Sequence, residues 1–175
     1  MVEPLSTVVI RPEGPVDADA IRRVVDRAFG RTDEAGLVEA LRDEEALAVS
    51  LVAEVAAAVV GHVAFSPVVI TDDGADIEAL CLAPLAVLPS HQNQGIGTRL
   101  IEAGLQSCRS TDCGFVVVLG DPEYYGRRGF AATEPFDIRC PYDAPRGAFR
   151  VHELRTGALA ETRGIVRYHP AFDGI

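Results

Sequence analysis

The stretch Pro84-Leu85-Ala86-Val87-Leu88-Pro89-Ser90-His91-Gln92-Asn93-Gln94-Gly95-Ile96-Gly97-Thr98-Arg99-Leu100-Ile101 limits the choice of fold more than any other part of the chain. Its apolar beginning reads as the end of a buried strand, and Pro89, with no N–H to donate, ends any ladder there. After the polar turn Ser90–Asn93, residues Ile96, Leu100, Ile101, Gly104, Leu105 and Cys108 recur on one helical face. Strand, polar turn, Gly-x-Gly and helix together let free backbone N–H groups converge on an anion at the positive end of the helix dipole. Gly95 and Gly97 have no Cβ, so a phosphate can approach the main chain closely.

The same stretch excludes two common phosphate binders. A Walker loop needs Gly-Lys-Ser/Thr, and the sequence contains no lysine. A dinucleotide fingerprint needs a third glycine where Leu100 stands.

At 175 residues the chain reads as one domain, residues 1–175, long enough to bury a core. Although 48% of the residues are hydrophobic, no apolar run reaches membrane-spanning length; the longest candidate, Val55–Phe65, is broken by Gly61 and His62. Met1-Val2-Glu3-Pro4 lacks the basic and apolar regions of a signal peptide, so a cytoplasmic protein without membrane contact is expected. A formal net charge of −10 disfavours nucleic acid as a partner, because such binding relies on neutralising phosphates. Cys81, Cys108, Cys113 and Cys140 form no Cys-x-x-Cys pair and have no histidine at ligand spacing, so free thiols and no metal are expected.

Taken in order, Thr7–Arg11 reads as a first strand ended by Pro12 and Gly14. A helix capped by Asp17 or Asp19 follows, with Ile21, Val24, Val25, Ala28 and Phe29 inward and Gly30 closing it. A second helix spans about Asp33 to Asp43, and the polar link Arg31–Glu34 between the two helices is of the kind that can face a ligand. Leu47–Glu54 and Val59–Ser66 read as a hairpin, with breaks at Ser66-Pro67 and Asp72-Asp73-Gly74. Ile77–Val87 is a further strand, near-continuously apolar as if buried on both faces, with Pro84 marking a bulge or splayed edge. Gly114–Gly120 is a β-branched buried strand. Asp121 and Pro122 then start a short helix carrying Tyr124 and Tyr125, with Tyr124 read as a core aromatic. A loop at Pro141–Gly147, a strand near Ala148–Leu154 and an edge strand at Gly164–Tyr168 complete the chain.

With Leu85-Ala86-Val87-x-Pro89-x-x-Gln92-x-x-Gly95-Ile96-Gly97 and Leu119-Gly120-Asp121-Pro122-Glu123-Tyr124-Tyr125-x-x-x-Gly129-Phe130 in this order, the sequence resembles the GNAT superfamily of acyl-CoA-dependent N-acetyltransferases, in its YhbS-like branch. The resemblance implies an α/β (α+β) GNAT fold: a mixed central sheet of about seven strands, splayed between the fourth and fifth, with helices on both faces. It implies acetyl-CoA as acyl-donor substrate and transfer to a primary amine of a small molecule or protein, by direct attack in a ternary complex. A homodimer is compatible with it. A non-catalytic acyl-CoA sensor with the same fold is the alternative reading.

The resemblance also assigns roles. Gln92, Asn93, Gln94, Gly95, Ile96, Gly97 and Thr98 would hold the CoA pyrophosphate, and the main chain of Leu85, Ala86 and Val87 would pair with the pantetheine arm. A backbone N–H on that strand would polarise the thioester carbonyl. Tyr125 would protonate the departing thiolate, as a phenol with a pKa of ~10 can. Some relatives use a glutamate on the preceding strand as general base; here Glu78 is the candidate, with a water chain, His62 and His91 as alternatives. Arg99, Arg127 and Arg128 could meet CoA phosphates. The loops Arg31–Glu34, Pro67–Asp76 and Cys140–Gly147 would shape the acceptor site.

Overall fold

The computed structural model describes residues 7–175, so the reading of Met1–Pro4 lies outside the described residues. Strands β1 (Val8–Pro12), β2 (Val49–Val55), β3 (Ala58–Asp72) and β4 (Ala75–Val87) form an antiparallel meander. β5 (Phe115–Leu119) joins β4 in parallel, and β8 (Phe149–Glu153) and β6 (Ala131–Ala132) extend that side. β9 (Gly164–Arg167) pairs with the distal half of β3 and, in parallel, with β7 (Ile138–Arg139). The sheet is mixed as expected, and among the described residues the two-residue strands β6 and β7 raise its strand number to nine.

Helices cover both faces. α1 (Ala18–Phe29) and α2 (Asp33–Asp43) bury Ile21, Val24, Val25, Ala35 and Val38 with Val52 and Ala86. α3 (Ile96–Cys108) covers the other face with the six residues its periodicity picks out, Ile96 to Cys108. It lies unusually close to the sheet: a Cβ at Gly104 would sit 2.3 Å from the Phe65 ring, and one at Gly61 would sit 3.0 Å from Leu100. Two missing side chains therefore fix how α3 seats, and with it where its N-terminus points. α4 (Pro122–Gly126) follows β5, started by Asp121, whose carboxylate accepts the Tyr124 N–H at 2.7 Å.

The feature that matters for function is how β4 and β5 part. Their pairing is confined to Leu80 with Val116 and Cys81 with Val117. Beyond that point β5 stays paired with β8 to Leu119, while β4 stays with β3 through a register shift at the cis Ala83–Pro84 segment. The splay between the fourth and fifth strands is thus present, and Pro84 does mark its bulge.

Several expectations are corrected. Pro67 does not break β3; it falls in the interval where β2 has ended at Phe65 and β9 begins only at Val69, so one edge of β3 is unpartnered there. The strand near Gly164 is not an edge, because β3 and β7 flank it. Asp17 occupies the N-cap of α1, but its carboxylate is engaged by Arg11 (2.7 and 3.0 Å) and the Gly14 N–H instead of the helix. That guanidinium holds the Asp17 carboxyl down at about 2. Phe29, expected inward, is 41% exposed because Gly30 turns the chain away immediately after it.

His62 is fully buried on β3 and donates its Nδ1–H to the Leu51 carbonyl at 3.0 Å, away from the cavities, so it does not serve as the alternative base. Desolvation lowers its pKa from 6.5 to about 4. A depressed histidine pKa means that the unfolded chain binds the extra proton first: the native state keeps its full stability above pH 6.5 and loses it as pH falls toward 4. Urea denaturation should therefore show the wild type losing about 1–2 kcal/mol more than His62→Gln between neutral pH and roughly pH 5. Equal losses in the two proteins would place the titrating group elsewhere.

Candidate active site

The parting of β4 and β5 opens two cavities that meet at Leu85. The main chain there follows from antiparallel alternation. The Leu88 N–H donates to the Val60 carbonyl at 2.8 Å, so Ala86, two residues back, is also turned toward β3. Leu85 and Val87 consequently aim their main-chain groups at the open edge, where β5 no longer runs. The Val87 carbonyl already accepts the Gln92 side-chain amide at 3.0 Å. Ala86 is set apart from the expected trio: its main chain belongs to β3 and its side chain packs under α1.

The smaller cavity, about 280 Å³, lies at the N-terminus of α3 and is lined by Val87, Gln92, Asn93, Gly95, Ile96, Gly97 and Thr98. Gly95 is the N-cap of α3 in the left-handed region, φ 82°, and no side-chain oxygen caps the helix, so its first N–H groups face the cavity. Gln94 does not line it; its amide turns back to the Ser90 carbonyl at 3.3 Å. His91 lines this anion cavity, away from Tyr125, and its Nδ1 lies 2.8 Å from Ser90 Oγ.

Two residues complete the cavity from α4 and its C-terminal turn. Arg128 bonds Thr98 Oγ1 through Nε (3.0 Å) and Nη2 (2.7 Å), and its guanidinium carbon stands 3.5 Å above the centre of the Tyr124 ring. Tyr124 thus packs against the core, as expected, and also forms a wall of this cavity. A Cβ at Gly97 would lie 2.6 Å from its hydroxyl. Of the three arginines the sequence raised, Arg128 faces the cavity; Arg99 is exposed outside it, and Arg127 is exposed and paired with Glu123.

The larger cavity, about 630 Å³, lies on the other side of Leu85, between Leu82–Leu85 of β4 and Leu119–Asp121 at the end of β5. Tyr125 projects into it, packed edge-on against Phe130 (5.6 Å) and Tyr124 (5.0 Å). A Cβ at Gly120 would lie 2.5 Å from the Tyr125 ring, so the glycine ending β5 makes the seat for the tyrosine. Burial pushes the Tyr125 phenol well above its usual range, and its hydroxyl has no hydrogen-bond partner among the described residues. It is a protonated donor facing open space.

Glu78 is not brought to this place. It is exposed, opposite Val69, on the closed side of the Leu80–Cys81 pairing, whereas the cavities begin at Leu82. Cys81, which lies nearer in register, is buried with its thiol pushed up to about 11, and its sulfur is 3.3 Å from Ser66 Oγ. Of the three loops expected to shape the acceptor side, Arg31–Glu34 and Cys140–Gly147 contribute Arg31, Glu34, Tyr142 and Asp143. Pro67–Asp76 forms the distal β3–β4 hairpin and contributes nothing to the cavity. Phe29, Leu37, Tyr168 and Phe172 were missed as lining residues, since periodicity marks them only as apolar. Among the described residues no group of three or more His, Cys, Asp or Glu is placed to hold a metal ion, and no helix is long and apolar enough to cross a membrane.

Residues 9–133 match the family model described as an acetyltransferase (GNAT) domain. The chain is 39% identical over 167 residues to YhbS of Escherichia coli K12, named an uncharacterised N-acetyltransferase, covering 95% of this chain and 99% of that one. The crystal structure of E. coli YhbS in complex with CoA superposes with a TM-score of 0.90 at 38% identity, over 98% of this chain and 95% of the other. A GNAT-family acetyltransferase from Brucella melitensis in complex with acetyl-CoA gives a TM-score of 0.79 at 38% identity, over 96% and 99%.

Replacing Gly97 with valine should fill the space between α3 and the Tyr124 hydroxyl and weaken acetyl-CoA binding by at least about tenfold, ~1.4 kcal/mol. Calorimetry beside a thermal melt reads both effects. Unchanged affinity in a folded Gly97→Val protein would mean that the anion cavity is not where the cofactor binds.

Proposed function

The chain belongs to the GNAT acetyltransferase family, and from that premise we propose that it binds acetyl-CoA across the parting of β4 and β5 and transfers the acetyl group directly to a primary amine. The observation that carries this reading is the junction of the two cavities at Leu85, with an anion cradle on one side and the Tyr125 hydroxyl on the other.

The CoA pyrophosphate sits on the N–H groups of Gly95 to Thr98, with the Arg128 guanidinium beside it. The pantetheine arm lies along the outward-facing main chain of Leu85 and the Val87 N–H, adding a strand where β5 has left. The Leu85 N–H donates to the thioester carbonyl and stabilises the oxyanion that forms on it. An amine in the larger cavity, having lost its proton to water, attacks the carbonyl carbon. The attacking nitrogen then gives up its second proton to water, the carbon–sulfur bond breaks, and the departing thiolate takes the proton of the Tyr125 hydroxyl, which solvent restores. Glu78 has no place in this scheme as the proton acceptor, given its exposed position on the closed side of the pairing. The sensor alternative is not favoured: the family is one of acetyltransferases, and the Tyr125 phenol stands free in the cavity.

The test is steady-state kinetics of Tyr125→Phe with the best amine found. The variant keeps the ring and its packing, so acetyl-CoA affinity should hold while kcat falls by about 10²–10⁴-fold. Because burial raises the phenol above its ordinary ~10, the acid stays protonated at neutral and mildly alkaline pH. Wild-type kcat should therefore show no falling limb up to about pH 10. Full kcat in Tyr125→Phe would remove the tyrosine from the mechanism.

A further inference from the structure

The larger cavity carries its own chemistry beyond Tyr125. One wall is a run of aromatic rings brought together from two remote segments: Tyr142 lies 5.2 Å from Tyr168, and Tyr168 lies 5.0 Å from Phe172, centre to centre. Tyr142 is 40% exposed although it lines a cavity, so its ring is offered to whatever enters.

Its charge is one-sided. Among the described residues, the charged side chains bordering the space are the carboxylates of Glu34, Asp121 and Asp143 and the guanidinium of Arg31. Arg31 is already committed: its Nε lies 2.9 and 3.1 Å from the two Glu34 oxygens, and Glu34 is itself buried. A ligand bearing a carboxylate would thus meet the carboxylates of Asp121 and Asp143 and an Arg31–Glu34 pair whose cation is taken. A ligand bearing an ammonium on an apolar body would meet carboxylates and ring faces, both of which attract it. About 630 Å³ is the size of a small-molecule site, which a single lysine side chain on a protein surface would leave largely unfilled.

We infer that the acceptor is a small cationic amine with an aromatic or bulky apolar body and no carboxylate, its body held on the Tyr142–Tyr168–Phe172 wall. This rests on the acetyl-transfer reading above and names the substrate class of that site.

The experiment compares 2-phenylethylamine, L-phenylalanine and a lysine-containing peptide in a thiol-release assay with acetyl-CoA. It also measures by calorimetry the binding of 2-phenylethyl-trimethylammonium, which cannot be acetylated, to the CoA-loaded protein. The inference expects kcat/KM for 2-phenylethylamine to exceed that of phenylalanine and of the peptide by at least about tenfold. It also expects the quaternary amine to bind, and Tyr142→Ala to raise KM for 2-phenylethylamine at least about fivefold with acetyl-CoA affinity unchanged. The exposed position of Tyr142 lets that variant fold. Preference for phenylalanine or the peptide, no binding of the quaternary amine, or an unmoved KM in Tyr142→Ala each overturns it. If the quaternary amine binds the CoA complex while no amine is acetylated, the recognition stands and the transfer reading falls, so the two failures remain distinct.

Discussion

Everything functional in this molecule depends on two hydrogen-bonded neighbours ceasing to be neighbours. β4 and β5 run together only at Leu80–Val116 and Cys81–Val117. Each then follows its other partner, β5 with β8 as far as Phe149 and β4 with β3 through the shift at Ala83–Pro84. Unpaired strand edges are costly to bury and hazardous to expose, and most folds cover them. Here the edge is kept, and it is short: the alternation of the ladder leaves Leu85 and Val87 as the residues whose amides point into the gap. A ligand able to act as a strand completes what the sheet leaves unfinished.

The packing of α3 translates that gap into a binding geometry. Gly104 lets the helix rest on the Phe65 ring, and Gly61 admits Leu100. The N-terminus of α3 is thereby held beside the end of β4, separated from it only by the short turn through His91 and Gln92. Gln92 tethers that turn to the Val87 carbonyl, which links the N-terminal turn of α3 directly to the unpaired strand edge. Substituting either helix-facing glycine would act on the cofactor at a distance, through the seating of a helix rather than through a contact.

What the sequence made legible was whatever lies close together along the chain. The strand–turn–helix unit around Gly95, the inward face of α3, α2 to the residue and the start of α4 at Pro122 all follow from local periodicity and capping. What escaped depends on contacts between distant segments. Pro67 looked like a break because its tolerance comes from β2 ending and β9 not yet starting, nearly a hundred residues away in the chain. Glu78 was placed by analogy of position, but the side of the β4–β5 pairing on which a residue falls is a property of the sheet. The aromatic wall joins Tyr142 to Tyr168 and Phe172 across a loop and a strand, and neither spacing nor composition singles them out. For Tyr124 the packing against the core is legible, but its second role as a cavity wall depends on Arg128 lying over its ring, a contact with a side chain beyond the helix.

The last constraint is mechanical and sits in α4, a helix too short to persist alone. Consecutive residues on a helix point about 100° apart, which turns the adjacent tyrosines to different sides of Leu85. Tyr124 is turned to the anion cavity and Tyr125 to the acyl-transfer side. Three separate contacts hold that orientation. Asp121 caps the helix start, Arg128 ties its C-terminal turn to Thr98 on α3, and Gly120 leaves the space in which the Tyr125 ring lies. The Arg128–Thr98 tie is the important one, because Thr98 also lines the cradle. Arg128 and Thr98 at the cavity and the Tyr125 hydroxyl are thus held by the same small helix and its C-terminal turn. In the proposed scheme the anion site at one end of the groove and the proton donor at the other therefore share the five residues of α4.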